Sequence, residues 1–507
     1  MAVVEKQQLP LRRRVARLSL LTVGLIALAL ASLLLAAWVA LRADPKDIVG
    51  QFPVGADDNV PTLSLIVAAG AAVASFFVGL AALHVAAAMR VLARDRRIPA
   101  PLSPEMRAVR RAVLTPLGPA AVRIVGEPEL PAGRLPDTAD AARVSLRLTV
   151  LVPAHNESVT IAATLQSLWG QTRPPDKVVV VADNCTDDTA EIARRHGAEV
   201  FTTVDNTDKK AGALNQALSE MFAGIEERDV AMIMDADSVI VPEFLQTAMG
   251  RLESDPDLIA VGGVFYGEEG PGLVGQLQRN EYTRYQRYIS RRLGKVFVLT
   301  GTASLFRAYA LKAVADSRGT LIPGHPGRVY DTLAMTEDNE MTLALKSLGA
   351  KMISPMQCRV VTEVMPTWGA LWRQRMRWQR GALENIGAYG LTRATLRYWL
   401  QQLGIGYGTI ALNAYFLLIL ITLLAADDFE LVWFWASIGL IFVVERLVTV
   451  WPIGWRGRAL AIPLVIELAY DFVLQAVYVK SLIDIATGRS AGWNYVPREA
   501  VTQEAVQ

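Results

Sequence analysis

Two carboxylates separated by one alanine, Asp235-Ala236-Asp237, follow directly on the apolar run Met232-Ile233-Met234. At the end of a strand such a pair supplies hard oxygen ligands for a Mg²⁺ or Mn²⁺ ion shared with phosphate groups. A divalent ion there neutralises charge on a diphosphate leaving group, although the same tripeptide also suits a capped turn. Thr336-Glu337-Asp338 precedes the apolar series Met341, Leu343, Leu345 and Leu348, which suits an acidic first helical turn favoured by the macrodipole. Its chemical reading is a general base: an acceptor hydroxyl has a high pKa, and a carboxylate within hydrogen-bond reach must take its proton during attack. Asp338, with Glu337 beside it, is the base in this reading. Gln374-Arg375-Met376-Arg377-Trp378 adds a planar guanidinium fork, Arg377, suited to a diphosphate, and an indole, Trp378, suited to the flat face of a sugar ring. By composition the segment 368–381 is also an amphipathic helix for a membrane surface.

These positions are far apart in the chain, so a scaffold must gather them. Between Arg147 and Val264, apolar runs of strand length recur at 148–152, 177–182, 199–203 and 230–234, separated by helix-like stretches at 160–168, 187–196 and 212–222. The alternation predicts βαβ units and a mainly parallel α/β sheet with helices on both faces. Ligands in such sheets bind beyond the carboxyl ends of the strands, where Asn156, Asp183 and Asp235 fall. Asp183 points from its strand end into the crevice in this reading and can accept hydrogen bonds from a nucleobase, while Thr186 or Asp187 is an N-cap. Lys210 either brings a cation to a nucleotide or diphosphate or is a solvated helix-start lysine, and its neighbour Lys209 leaves the choice open. Neither a dinucleotide-binding Gly-x-Gly-x-x-Gly after the first strand nor a P-loop occurs, so metal and side chains must handle phosphate. A second amphipathic segment, 276–292, with Tyr282, Tyr285, Tyr288 and five arginines, reads as an interfacial scaffold rather than a binding site.

At 507 residues the chain has room for a soluble unit and a membrane unit. Its 51 Lys and Arg against 49 Asp and Glu give no polyelectrolyte signature, so nucleic acid is not an expected partner. Cys185 and Cys358 are too few and too distant for a disulfide framework or a zinc cluster. Runs at 18–41 and 63–91 are each long enough to cross a bilayer as a helix, and the length of the first argues against a cleaved signal peptide. Apolar segments return at 405–425, 431–451 and 459–483, the last carrying Glu467, Asp471 and Lys480. Glu467 and Asp471 must face the bundle interior or a watery path, as a structural ion pair or as part of a translocation route. Basic residues at 12–17 and 90–97 against Asp44, Asp47, Asp57 and Asp58 predict a cytoplasmic N-terminus and a cytoplasmic central domain in a multi-pass plasma-membrane protein. Five crossings place the tail outside, whereas its Arg489 and Arg498 favour the inside. The predicted organisation is a membrane region at 1–97, a linker at 98–146, a catalytic domain at 147–366, an interfacial helix region at 367–397, a second membrane region at 398–485 and a tail at 486–507.

Taken in order, Pro153-Ala154-His155-Asn156-Glu157, Asp183, Lys210-Ala211-Gly212, Asp235-Ala236-Asp237, Gly301-Thr302-Ala303, Thr336-Glu337-Asp338 and Gln374 through Trp378 resemble the membrane-integrated processive family 2 glycosyltransferases. Cellulose, chitin, hyaluronan and poly-N-acetylglucosamine synthases belong to that group, and the resemblance covers 147–381. It implies a GT-A fold, a UDP-sugar donor, a Mg²⁺ or Mn²⁺ cofactor and an inverting single displacement that gives a β-linked polysaccharide. It further implies that Asp183 lies near the uracil, Asp235 near the nucleotide and Asp237 on the metal. Pro153, His155, Glu157, Lys210 and Arg377 then belong to the donor site, with His155 standing where many relatives have Tyr. Gly301, Thr302 and Ala303 border the acceptor sugar in the same scheme, and Gln374 and Trp378 hold the acceptor at the mouth of a membrane channel.

The Gln-Arg-Met-Arg-Trp form and the spacing lie nearer the poly-N-acetylglucosamine synthases than the hyaluronan synthases. No cyclic-dinucleotide-binding module is expected after the last span, and accessory export or modifying subunits are possible partners. Two other readings compete: transfer of a single sugar to a polyprenyl phosphate or other lipid, and a membrane protein that binds a nucleotide-sugar without turnover.

Overall fold

The computed structural model describes residues 146–269, 272–292, 294–425, 433–487 and 489, with isolated positions at 24, 27, 31, 78, 79 and 85. The predicted spans at 18–41 and 63–91, the linker with its helix near 104–113, and the tail beyond 489 lie outside the described residues.

The first strand, β1 (Arg147–Ala154), enters a repeating pattern of α1 (Ile161–Trp169), β2 (Lys177–Ala182), α2 (Thr189–Arg195), β3 (Glu199–Thr202), α3 (Lys209–Met221) and β4 (Asp229–Met234). These four strands pair in parallel in the order β3-β2-β1-β4. β4 is buried along its whole length, as expected of a strand covered on both faces. There follow β5 (Val239–Ile240), α4 (Phe244–Ser254), β6 (Leu258–Gly262), β7 (Val264–Gly267), α5 (Leu273–Arg291), β8 (Ala303–Arg307) and α6 (Ala308–Ser317). The domain is completed by α7 (Glu337–Ser347), β9 (Lys351–Ile353) and β10 (Arg359–Thr362). β8 inserts between β4 and β6, antiparallel to both, and β9 closes the seven-stranded sheet in parallel with β6. A small sheet, β5-β10-β7, flanks it.

One face of the large sheet packs Leu148, Val150 and Val152 against Leu165, Leu168, Phe244 and Leu245. The other packs Leu151, Ala231 and Ile233 against Leu214, Leu218, Leu311, Val314 and Leu345. Alternation of side chains along each strand feeds both cores, so neither face of the sheet is free to slip in register.

The sheet leads into a helical region. α8 (Trp368–Tyr389) starts at Thr367, whose hydroxyl accepts the N–H of Ala370 at 3.2 Å, and carries the Gln374–Trp378 motif. α9 (Leu396–Ala425) begins nine residues earlier than the apolar run that announced it. α10 (Trp433–Val450) matches the second run. The third run is not one helix: α11 (Trp455–Ala461) and α12 (Val465–Ala486) meet at 78°. Pro463 lacks an N–H and Leu464 adopts a left-handed φ of 51°, so the ladder cannot continue through the break. Among the described residues no single helix is long and apolar enough to cross a membrane, although this bent pair passes together by length and composition.

Candidate active site

The carboxyl ends of β1, β2 and β4 and the polar faces of α5, α7 and α8 open onto one cavity of about 1080 Å³. Asp183, Asp235, Asp237, Glu337, Asp338, Arg377 and Trp378 all line it.

At the β2 end, Asp183 is buried, and its Oδ1 accepts from Asn206 Nδ2 at 2.7 Å, Thr203 Oγ1 at 2.9 Å and Asn184 Nδ2 at 3.2 Å. None of these donors reaches Oδ2. The imidazole Nδ1 of His155 lies 2.6 Å from the Asp183 carbonyl, which can only accept, so Nδ1 carries the hydrogen. Pro153 and Glu157 line the same end of the cavity, and Thr160 Oγ1 donates to Glu157 Oε2 at 2.9 Å. The N-cap of α2 is Asp188, not Thr186 or Asp187; Asp187 precedes it and ties two loops, its Oδ1 accepting from Thr189 N at 3.1 Å and its Oδ2 from Ser158 N at 3.0 Å.

Lys210 starts α3 yet is not a solvated lysine. Its Nζ stands 2.5 Å from Asp235 Oδ1 and 3.2 Å from Glu337 Oε1, bridging the β4 end to the first turn of α7. Burial alone would lower its pKa, but the two facing carboxylates outweigh that and hold the ammonium charged. Gly212, two residues on, allows the close start of this helix, since a Cβ there would fall 2.1 Å from Asn206 Oδ1 and 2.6 Å from Asp208 Cβ. Burial pushes Glu337 up, yet Lys210 and then Arg377 hold it below the ordinary carboxylate range.

Asp338 goes the other way. Burial, reinforced by Glu337, raises it to about 6 against the pull of the Asn339 N–H, Lys210 and Arg377. The Asn339 N–H occupies Oδ1 at 2.7 Å, which leaves Oδ2 as the oxygen for an incoming proton. Gly301 makes room for this carboxyl, because a Cβ there would lie 3.3 Å from Asp338 Cβ and 3.4 Å from Oδ2.

Asp237 is raised to about 7 by burial and by the neighbouring carboxylates Asp235, Glu157 and Glu363. Such crowding of like charge is what a divalent cation would relieve. Among the described residues, however, no group of three or more His, Cys, Asp or Glu side chains could hold a metal ion. The donor set therefore fits an ion only if oxygens of a bound diphosphate complete its coordination.

Gln374 and Trp378 line the cavity from α8. Thr302 also lines it, and its carbonyl accepts the Asp235 N–H at 3.0 Å, fixing the turn that presents the two aspartates. Ala303 is a correction. It begins β8, pairs with Met234 and is fully buried, so it borders the sheet core instead of an acceptor.

The segment at 276–292 is a second correction, because Glu281, Tyr282 and Tyr285 of α5 face the cavity. Tyr285 is pushed up to about 12 by burial and by Asp338. The tyrosines recur at helical spacing in the sequence, but only the placement of α5 beside β7 turns that face towards the site. Glu363, just after β10, went unnoticed because a lone acid after a strand carries no motif.

The cavity continues between α8, α9 and α12, past Gln402, Ile405, Gly408, Thr409, Asp471, Gln475 and Tyr478. Asp471 thus lines a path and also accepts from Arg446 at 2.7 Å. Glu467 is structural: it is buried and accepts from Arg284 at 2.6 Å, from Arg446 at 2.9 Å and from Asn280 at 2.9 Å.

Residues 146–381 match the family described as glycosyltransferase like family 2. The poly-beta-1,6-N-acetyl-D-glucosamine synthases of Staphylococcus aureus and Staphylococcus epidermidis are each 26% identical to this chain over 245 residues, which cover 47% of it and 55% of them. The chain thus spans about half the length of the curated relatives it matches. Among solved structures, a mannosyltransferase from Pyrobaculum calidifontis in complex with GDP-Man and Mn²⁺ superposes with a TM-score of 0.43 at 18% identity, covering 76% of this chain and 98% of the other. Glucosyl-3-phosphoglycerate synthase from Mycobacterium tuberculosis gives 0.34 at 19% identity, covering 51% of this chain and 84% of the other. Residues 146–381, an α/β domain with a mostly parallel central sheet, thus form a glycosyltransferase family 2 domain.

Proposed function

We propose that this chain is a metal-dependent inverting hexosyltransferase. It takes sugar from a UDP-sugar, adds it to a growing β-linked polysaccharide, and passes the chain along a channel between its own helices in the plasma membrane. The observation that carries the reading is that Asp237, Asp338 and Trp378 share one cavity, which runs on between α8, α9 and α12. Similarity to the staphylococcal synthases supports polysaccharide as the product.

In this reading Asp183, His155, Pro153 and Glu157 receive the nucleoside. Lys210 and Arg377 supply positive charge beside the diphosphate, where a bidentate or charge-assisted contact is strong. Asp237 would hold Mg²⁺ or Mn²⁺, and a bound ion would offset negative charge on the leaving group. Oδ2 of Asp338 takes the proton of the acceptor hydroxyl as its oxygen bonds to the sugar carbon and the bond from that carbon to the diphosphate breaks. One displacement inverts the anomeric centre, so an α-linked donor yields a β-linked product. Trp378, Gln374, Gly301 and Thr302 carry the acceptor end. Exposed apolar side chains on the helices, including Leu403, Leu440, Ile441, Phe442 and Val448, with Trp451 and Trp455 at a turn, support a lipid environment.

The test is to incubate membranes containing the protein with radiolabelled UDP-sugars and Mn²⁺ or Mg²⁺, then size the product. A long polymer is expected. A one-sugar glycolipid would replace this reading with single transfer to a lipid, and binding without UDP release would remove the enzyme reading altogether.

A further inference from the structure

Arg375, the residue after Gln374 in the pentapeptide, is 5% exposed. Its Nη2 donates to Glu281 Oε2 at 2.8 Å, while Nε and Nη1 are buried without a hydrogen-bond partner. A guanidinium so placed would ordinarily be costly, since buried donors are nearly always satisfied. Here its carbon lies 4.3 Å from the centroid of the Trp378 ring and 5.7 Å from that of Tyr282. Two aromatic faces stand in for the missing oxygens. Arg375 and Trp378 are three positions apart on α8 and so share one helix face. The carboxylate that holds the guanidinium is itself held, because Tyr470 of α12 donates to the same Glu281 Oε2 at 2.5 Å.

We propose that Arg375 is a positioning residue for the acceptor platform: its guanidinium covers one face of Trp378, and Glu281 with Tyr470 locks the guanidinium, tying α12 to the place where the acceptor sugar sits. The inference rests on the reading of Trp378 as that platform. It adds that the ring presents only its other face to a sugar, and that a shift of α12 is transmitted to the ring through a hydroxyl, a carboxylate and a guanidinium.

The experiment uses the full chain in detergent with UDP-N-acetylglucosamine and other UDP-sugars. Arg375→Lys keeps the charge and loses the planar stack, and is expected to raise the acceptor KM about tenfold and shorten the product, with acceptor-free UDP release changed less than about twofold. Placed on Trp378→Phe, the same substitution is expected to add little, because both changes act on one contact. Tyr470→Phe, a milder change that tests the link if Arg375→Lys does not fold, should shift the acceptor KM in the same direction by about threefold. Equal losses of UDP release and transfer, or full additivity with Trp378→Phe, would overturn the proposal. An activity-free readout keeps it separate from the proposed function. In protein labelled with 5-fluorotryptophan, the resonance missing from Trp378→Phe should move in Arg375→Lys and in Tyr470→Phe. An unmoved resonance rejects the inference, whereas a wild-type protein that makes no polymer from any donor rejects the functional reading alone.

Discussion

Glu337 and Asp338 are adjacent carboxylates that their surroundings push in opposite directions. Glu337 is paired with Lys210 at 3.2 Å and stays ionised, while Asp338 is pushed up to about 6, within reach of the pH at which a base must work. The proposed base acts as the carboxylate, so kcat/KM should be flat above pH 6 and fall as Asp338 protonates below it, about tenfold per unit. Asp338→Asn should retain donor binding and lose transfer by about 10²-fold or more. A pH profile paired with UDP-sugar titration checks both, and near wild-type turnover would remove Asp338 from the role. Lys210 lowers the pKa of both carboxyls, so its removal has a fixed sign. Lys210→Met should move the acid limb of the profile to higher pH and raise the donor KM. An unmoved limb would mean that the ammonium does not act on the base.

At the scale of elements, the site depends on how closely α7 and α8 approach. Gly381 lies against Thr336, where a Cβ would sit 2.5 Å from Oγ1 and 2.8 Å from Cγ2. Asn385, one turn further along α8, donates to the Thr336 carbonyl and to Asn339 Oδ1, each at 3.1 Å. The glycine permits the approach and the asparagine fixes it, joining the Asp338-bearing turn of α7 to the helix that carries Trp378. Gly381→Ala should cost about 1–3 kcal/mol by overpacking. The expected signs are a lower melting temperature in detergent and transfer reduced more than donor binding; an unchanged melting temperature would show that the helices part at no cost. A similar lock forms where Glu340 meets Arg318 at 2.7 and 2.8 Å and Tyr389 at 2.6 Å, all buried. Satisfied on every side, such a pair fixes geometry more than it adds stability.

For the whole molecule, the sheet domain and the helices α8, α9 and α12 enclose one continuous space. The helical region exposes Leu400, Leu403, Tyr407, Leu440, Ile441, Phe442, Val444 and Val448 to its surroundings, whereas the large-sheet domain gathers most of its large apolar side chains into two cores and exposes only scattered ones such as Val159, Val204 and Leu333. So much exposed apolar surface calls for lipid or a partner to cover it. The protein should therefore stay with the membrane pellet after alkaline carbonate washing and leave it only with detergent. Release by carbonate would count against the membrane assignment and, with it, the channel.

The parallel half of the sheet and the strand-end position of Asp183 and Asp235 were legible in the sequence, because alternation of apolar runs with helical stretches encodes them locally. The order of motifs was legible for the same reason, each being a short contiguous word. What tertiary structure alone decided is which of those words meet. Lys210 could not be told from a solvated lysine until α3 was set beside the β4 end and α7, since an ion pair across 25 and 127 positions leaves no local trace. Ala303 belonged to the acceptor by analogy and to the β4–β8 ladder in fact, because pairing between distant strands is not written in either one. The tyrosines of α5 carried helical spacing without a direction, and the break at Pro463 was masked by an apolar average. Composition and periodicity fix what an element is; the partners it packs against, which only the folded chain supplies, fix what its side chains do.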